Sequence, residues 1–587
     1  LLGEYYIKQT EAGEGFVLNT EQKDISLPYV GDKEAISYAE VSYENERQKI
    51  HIVLENKDSQ TQENIQGGTF GIYTQEEISY QTSTGETIVI PADTLMSVQT
   101  VTEEGKIEWS PTQNIDLPLG NYQIKQIKAP DGYASSEEVI VVEGNYQGQD
   151  IATIERKVTF ENDITKLRIQ LQDRETEQGL AEATLRIVNE EGQTIYSWTT
   201  DQTGEVLYKG LIYGNNYTLE VVTPRVGYEK TLYSQNHAGD ISHEQNEQGN
   251  IVFSIQDSME EQTLIVANLA KVGSIQIEKQ GEVLIEAEEE ENGNLQFQYE
   301  TQSLPNASFE IYANEVIEHP DGHTGLLFAE GTKIAEGTTT ENGLTITNVS
   351  DNVKQIYIEQ VQQLLERGLP LGSYRIVEIK APEGYYRNPV DCEQIVTLED
   401  IEDSNYIEET SIFENARQTV TVKVHKYDAE TTQSLEGVTI GLYAQNDILE
   451  NGQVIVTGGT LIQKQVTDEE GIAIFEGNIP LGNYYVQEIE AADGYVLASE
   501  QIQIQAETLE ENRRMIEANV EFANQKTKIQ IIKTTQEGEA IIGANLQIVD
   551  ENNNLMDSWI TDGTNHEVEG LETEKTYILQ EVEPAKG

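Results

Sequence analysis

Residues 372–385 read GSYRIVEIKAPEGY, and close variants stand at 120–133 (GNYQIKQIKAPDGY) and 482–495 (GNYYVQEIEAADGY). A looser copy, YTLEVVTPRVGY, occupies 217–228. Partial copies open the chain at Gly3 (GEYYIKQTEAGEGF) and close it at Tyr577 (YILQEVEPAKG). A supersecondary unit repeated along a chain fixes its architecture before any local propensity is weighed. Six copies in 587 residues agree with the about four to six domains that length alone suggests, at roughly 100–200 residues each.

Each full copy lies between a strand-like opening run and a run that ends in Asn. The first repeat, 1–45, ends in VSYEN and reads as the C-terminal part of a truncated domain. The second, 46–164, runs from KIHIVLEN to VTFEN; the third, 165–271, from KLRIQLQD to LIVAN. The fourth, 272–417, runs from SIQIEKQ to SIFEN; the fifth, 418–526, from VTVKVHKYD to VEFAN. The sixth, 527–587, opens with KIQIIK and reads as a truncated N-terminal part, so the chain reads as a fragment. Ile50, Ile52 and Leu54 alternate with polar neighbours, the period of a half-buried strand. Short β-branched and aromatic runs between turn signals such as TDQTG, TENG and TDEEG predict antiparallel β-sandwiches. No long Gly/Ser linker separates the repeats, which predicts a tandem array forming a semi-rigid rod. One segment departs from this pattern. Ile358, Val361, Leu364 and Leu365 follow helical spacing and predict a short helix over 358–367, in an insertion of the fourth repeat. Long loops on a rigid scaffold are where binding usually resides.

The formal charge of −67 argues against nucleic acid, because phosphate recognition needs clustered Lys and Arg. Strong acidity keeps an exposed chain soluble and self-repelling. The acidic run 288–291 reads as a solvated loop, since it lacks the alternating ligands and turn glycine of an EF-hand. The single cysteine, Cys392, rules out an intramolecular disulfide; its setting, PVDCEQIV, predicts a half-buried strand position. No apolar run near 18 residues is present, so no membrane contact is expected within the fragment. His319 and His323 (HPDGH) lack a third metal ligand and read as a polar turn. His425 should face away from its neighbour Lys426. Trp198 and Trp559 fill matching SW(T/I)TD segments and read as core or strand-face residues. With no phosphate loop, nucleophile elbow or metal cluster, no cofactor and no turnover of an external substrate are expected.

Three positions can be followed through the repeats: the inward residue ending the opening strand, the fourth residue after the motif's first Tyr, and the closing Asn. They are Lys279, Glu378 and Asn415 in the fourth repeat, and Lys426, Glu488 and Asn524 in the fifth. The second repeat has Asn56, Gln126 and Asn162; the third has Leu171, Val221 and Asn268. The sixth shows Lys533 and Glu581, and the first shows Gln9 and Asn45. The second and third positions stand 36 or 37 apart, except in the third repeat, where the interval is 47. Lys and Glu occur together or not at all. A lone inward charge would be strongly destabilising, so the pair behaves as one working unit.

Two readings of that unit are open on the residues alone. One is a buried ion pair capped by Asn. The other is an isopeptide bond: burial favours a neutral, nucleophilic Lys and a protonated Glu, which can shuttle protons as Lys attacks the Asn carboxamide and ammonia leaves.

The motif Y-x-φ-x-E-x-x-A-P-x-G-Y, the V-x-V-x-K strand, the G-A-x-(F/L) segment (Asn306 to Phe309, Gly543 to Leu546) and the closing F-x-N together resemble the Cna B-type, or SpaA-like, domains of Gram-positive surface adhesins and pilins. The resemblance spans essentially the whole chain. It implies prealbumin-like β-sandwiches in an extracellular, cell-wall-attached stalk. It also implies self-formed Lys279–Asn415 and Lys426–Asn524 bonds catalysed by Glu378 and Glu488, with Lys533 and Glu581 as a third donor and catalyst lacking an acceptor. The second and third repeats depart at the decisive positions and should keep the fold without the bond. Two other functions stay open: a ligand-binding module at 272–417 for a host or matrix protein, and an accessory array on a secreted enzyme. The pilin lysine motif and the LPxTG sorting signal are absent from the sequence, and wall attachment would run through a C-terminus beyond it.

Overall fold

The computed structural model describes residues 1–586 apart from 34, 35, 83, 236–238, 240 and 508; Gly587, which ends the sixth repeat, lies outside them. The chain forms two compact units: residues 1–271 with 319–325 and 400–405, and residues 272–318, 326–399 and 406–587.

In the second unit, the fifth repeat displays the plan most simply. Its opening strand, Thr419–Asp428, buries Val420, Val422, Val424, Lys426 and Asp428 on one face and turns the residues between them outward, as the two-residue period requires. This strand lies between Ile472–Ile479 and Met515–Asn524. A second sheet, ordered Leu461–Val466, Thr439–Ala444, Gly482–Glu490, Gln501–Ala506, packs over it around Val422, Ile440, Leu442, Phe475, Tyr484, Val486 and Phe522. The sandwich expected from the sequence is thus present, but its sheets are not wholly antiparallel. The closing strand runs parallel to the opening one, from Thr419 opposite Met515 to Asp428 opposite Asn524. No hairpin sets the direction of these two strands, because the second sheet forms the crossover between them, and a crossover permits parallel pairing.

The same parallel pair recurs in the first unit, as Lys49–Asp58 with Thr153–Asn162 and Lys166–Asp173 with Glu261–Asn268. In the second unit it recurs as Val272–Glu289 with Tyr406–Arg417. The fourth repeat elaborates on it. Its opening strand does not end at Lys279 but continues to Glu289 and folds back as a hairpin with Leu295–Ser303. Glu288 and Glu289 therefore belong to a strand, and only Glu290 and Glu291 to the turn. Hairpin residues Leu284 and Phe297 join the apolar core of the fifth repeat.

The predicted helix is Glu359–Arg367, with Val361, Leu364 and Leu365 buried; Ile358 is its N-cap and stands 65% exposed, so it is outside the apolar face. A second short helix, Asp351–Lys354, precedes it. Cys392 is buried but lies in a bend before the strand Glu393–Leu398 rather than in a strand, with its Sγ 3.5 Å from the Pro389 carbonyl. Trp198 and Trp559 are half-buried strand residues.

The recurring motif is a strand followed by a turn, and both of its tyrosines hold the fold. The first is buried and donates its hydroxyl to a carbonyl four residues upstream: Tyr122 to Pro118, Tyr374 to Pro370, Tyr484 to Pro480. At the turn, Tyr133 N–H donates to the Pro130 carbonyl, with Gly132 at φ +84°, a conformation that glycine adopts without a Cβ penalty. Tyr484→Phe removes a buried hydrogen bond, so a loss of about 1 kcal/mol, read as a lower denaturant midpoint for the fifth repeat, is expected.

Candidate functional site

The register of the parallel pair decides which side chains meet. Lys426 stands opposite Phe522, and Asn524 opposite Asp428. Lys279 likewise stands opposite Phe413, and Asn415 opposite Gly281. Residues two apart share a face, so in both repeats the Lys and the Asn are diagonal neighbours on the inward face. The Glu arrives from the facing sheet. Glu488 pairs with Ile440, and a bulge follows as Thr439 takes up Glu490; Glu378 pairs with Phe309, with the same bulge before Ser308 meets Lys380. Bulges re-aim side chains. This one also follows Gln126, Val221 and Glu581, so it belongs to the fold rather than to the charged pair.

All three predicted side chains converge in both repeats. In the fourth, Lys279 Nζ lies 3.3 Å from Glu378 Oε1, and Asn415 Nδ2 donates to the same oxygen at 2.8 Å. In the fifth, Lys426 Nζ lies 3.0 Å from Glu488 Oε2, and Asn524 Nδ2 donates to Glu488 Oε1 at 2.7 Å. Both pairs have side chains at most 1% exposed. The rings of Phe413 and Phe522 lie 5.9 and 3.5 Å from their lysine nitrogens. Burial holds the Lys279 and Lys426 amines below the usual lysine range, with the facing carboxylates opposing the shift. Burial also raises the Glu378 carboxyl, against the pull of Lys279. Desolvation thus favours the state in which the ammonium has passed its proton to the carboxylate. Among the described residues, Asn524 Oδ1 is buried without a hydrogen-bond partner. Turning that amide over would bring Oδ1 to Glu488, where only a protonated carboxyl could satisfy it.

The uncharged repeats fill the same positions differently. Asn162 Nδ2 donates to Asn56 Oδ1 at 2.5 Å, and Gln126 Nε2 donates to Asn162 Oδ1 at 2.6 Å. Leu171 and Val221 are buried apolar residues, and Asn268 donates to the Thr231 carbonyl. Gln9 and Asn45 exchange hydrogen bonds. Lys533 and Glu581 meet at 3.1 Å but are 27% and 37% exposed, and Lys533 lies just past its short strand, Lys528–Ile531.

Sequence reading missed a carboxylate two residues beyond the Lys position. Asp58, Asp173 and Asp428 each accept the hydroxyl of the motif's last Tyr: Tyr133, Tyr228 and Tyr495. Each also accepts two backbone N–H groups of the next turn, as Asp428 does from Glu430 and Thr431. These bonds, led by that from Thr431, hold the Asp428 carboxyl well below the usual carboxylate range. The signal was available, since D-x-x-T recurs at 58–61, 173–176 and 428–431. In the fourth repeat Gly281 takes this place and Tyr385 donates to the Glu282 carbonyl instead. His425 faces away from Lys426, as expected. His319 lies in a polar turn and is buried there, its ring against Asp321, whose Oδ1 accepts from His323 N–H. No group of three or more metal-ligating side chains occurs among the described residues, and no helix among them is long and apolar enough to cross a membrane.

The profile of the SpaA prealbumin-like fold domain matches residues 50–157, 165–250, 292–408 and 420–521, more than half of the chain. The chain belongs to that family. Its SpaA-type sandwiches stand in tandem, and the matched spans hold Glu378, Lys426 and Glu488 while stopping short of both closing asparagines. Among solved structures the chain is similar to the Bacillus anthracis TIE protein, with 16% identity, 89% of this chain and 74% of that one covered, and a TM-score of 0.39. It is also similar to BcpA, the major pilin subunit of Bacillus cereus, with 13% identity, 62% and 99% covered, and a TM-score of 0.26. The shaft pilin SpaA from Lactobacillus rhamnosus GG shows 14% identity, 38% and 97% covered, and a TM-score of 0.18. No curated protein sequence matches the chain.

If Lys426 and Glu488 act as one unit, Lys426→Met leaves a buried carboxyl without its lysine and destabilises the fifth repeat by at least about 3–5 kcal/mol, and by more where a covalent tie through Lys426 is lost with it. Adding Glu488→Met should restore part of that loss in denaturant unfolding; a double variant no more stable than the single one contradicts the coupling.

Proposed function

We propose that the chain is a stalk segment of a Gram-positive cell-surface adhesin or pilus-like protein, and that its fourth and fifth repeats lock themselves with Lys279–Asn415 and Lys426–Asn524 isopeptide bonds. The repeat boundaries read from the sequence are part of this proposal, as is attachment to the cell wall. The observation that carries it is the convergence of Lys, Glu and Asn at one register in two repeats, with the charged pair desolvated. Glu378 and Glu488 take the proton of the lysine ammonium. The freed amine attacks the asparagine Cγ; the carboxyl gives its proton to Nδ2 and takes a second one from Nζ, so that the Nζ–Cγ bond forms as the Cγ–Nδ2 bond breaks, ammonia leaves and the Glu ends protonated. Each site reacts once.

The parallel pairing gives the bond a mechanical meaning. Tension enters at the N-terminal end of the opening strand and leaves at the C-terminal end of the closing strand. These ends lie at opposite ends of a parallel pair, so tension shears the ladder along its length. With Lys426 joined to Asn524, load passes across the bond and residues 427–523 are bypassed. By analogy with a disulfide closing a loop of about 100 residues, the tie contributes on the order of 4–5 kcal/mol. Unlike a disulfide it is indifferent to reduction, which suits a chain with one cysteine.

When the whole chain is pulled from its ends, the fifth repeat should release no length from residues 427–523. Glu488→Ala should restore a release on the order of 30 nm, at ~3.3–3.6 Å per residue. The same release from the unaltered chain would overturn the proposal.

A further inference from the structure

Three places beyond each closing Asn stands a residue with a recurring environment: Gln48, Thr165, Lys271, Gln418 and Thr527. Each donates its backbone N–H to the carbonyl of the glycine in the preceding motif turn: Gly15, Gly132, Gly227, Gly384 and Gly494. Four of the five are at most 2% exposed, and every one sends its side chain forward.

The forward contacts are of two kinds. Gln48 Nε2 donates to the Gly148 and Ile151 carbonyls, and Gln418 Nε2 to those of Glu510 and Arg513. In both cases the acceptors lie just ahead of the next closing strand. Lys271, in the first compact unit, makes the same reach to Asp400 and the Ile401 carbonyl. Thr165 and Thr527 instead donate to the Leu211 and Leu571 carbonyls, and Gly210 and Gly570 N–H groups donate back to their carbonyls. Other loop residues of the next repeat also grip the preceding turn. Asp257 accepts from Ser135 N–H, and Glu511 accepts from Ala381 N–H and faces Arg387.

We infer that, within each compact unit, the motif turn of a repeat is a docking surface whose partner is the next repeat, and that the residue three beyond the closing Asn is its joint. Repeats within a chain move relative to one another unless something holds them. Here a side chain with paired polar atoms, buried at four junctions and half-buried at Thr527, spans the junction. Breaking it strands buried donors and acceptors, so the joint resists opening. At Gly132 and Gly494 the docking adds a reason for glycine beyond its φ. A Cβ at Gly494 would lie 2.5 Å from the Gly570 carbonyl oxygen and one at Gly132 2.7 Å from that of Gly210, whereas one at Gly384 meets nothing within 4 Å. Gly384 and Gly494 have φ of +85° and +82°, so alanine pays the same backbone strain at both and collides at only one. The inference stands whether or not the isopeptide bonds form.

The test uses the full chain with Cys392→Ser and paired spin labels on exposed positions. Glu341→Cys with Gln503→Cys spans the Gln418 joint, and Gln503→Cys with Asn552→Cys spans the Thr527 joint. Electron–electron distance measurements should give one narrow distribution for each pair. Gly494→Ala and the near-isosteric Thr527→Val should widen the second about twofold, as freed repeats regain relative motion. Gln418→Ala should widen the first, and Gly384→Ala should leave it narrow. Broad distributions in the parent chain, or widths unchanged by Gly494→Ala, Thr527→Val and Gln418→Ala, would overturn the inference.

Discussion

A lysine and a glutamate buried against each other and against an asparagine carry a heavy desolvation cost. Each charge, taken from water alone, would lose several kcal/mol. The fold tolerates the pair because it brings partners from three strands: Lys426 from the opening strand, Asn524 from the closing one, and Glu488 from the facing sheet at a bulge. Removing any one exposes the others to an apolar core. Burial lowers the lysine's proton affinity and raises that of Glu378, so the environment that makes the pair costly also moves it toward an amine and an acid. An amide bond, with ammonia as the leaving molecule, is a way for that tension to be relieved.

The other repeats show that the scaffold does not need the pair. Where Lys and Glu are replaced by Asn56 and Gln126, a chain of amide hydrogen bonds through Asn162 fills the space. Where they are replaced by Leu171 and Val221, apolar packing does. The bulge, the parallel pairing and the tyrosine anchored four residues back persist through these changes or return in altered form. Architecture and chemistry are therefore separable, and the charged pair is an addition to a frame that stands without it.

Much of this was legible in the sequence because repetition supplied the controls. The opening strand's alternation marked Lys279 and Lys426 as inward, and the joint presence or absence of Lys and Glu across the repeats marked the pair as one unit. The helix at Glu359–Arg367 was legible from its spacing, though Ile358 sits outside its apolar face as the N-cap. What escaped had long-range causes. The direction of the closing strand is set by a crossover through the second sheet, and no local signal in VEFAN carries it. The fourth opening strand continues to Glu289 where Gly281 stands in the place of the turn-forming Asp, a difference whose meaning appears only beside Asp428. The burial of His319 is likewise a tertiary matter, invisible in HPDGH.

The proposed cross-links require that the buried triads of the fourth and fifth repeats have reacted. Intact mass of the purified chain reads this directly, since each bond releases one ammonia and nothing else. A deficit of two ammonia molecules against the sequence mass is expected. A mass equal to that of the sequence would mean that Lys279, Glu378 and Asn415, with Lys426, Glu488 and Asn524, are ion-pair clusters and no more.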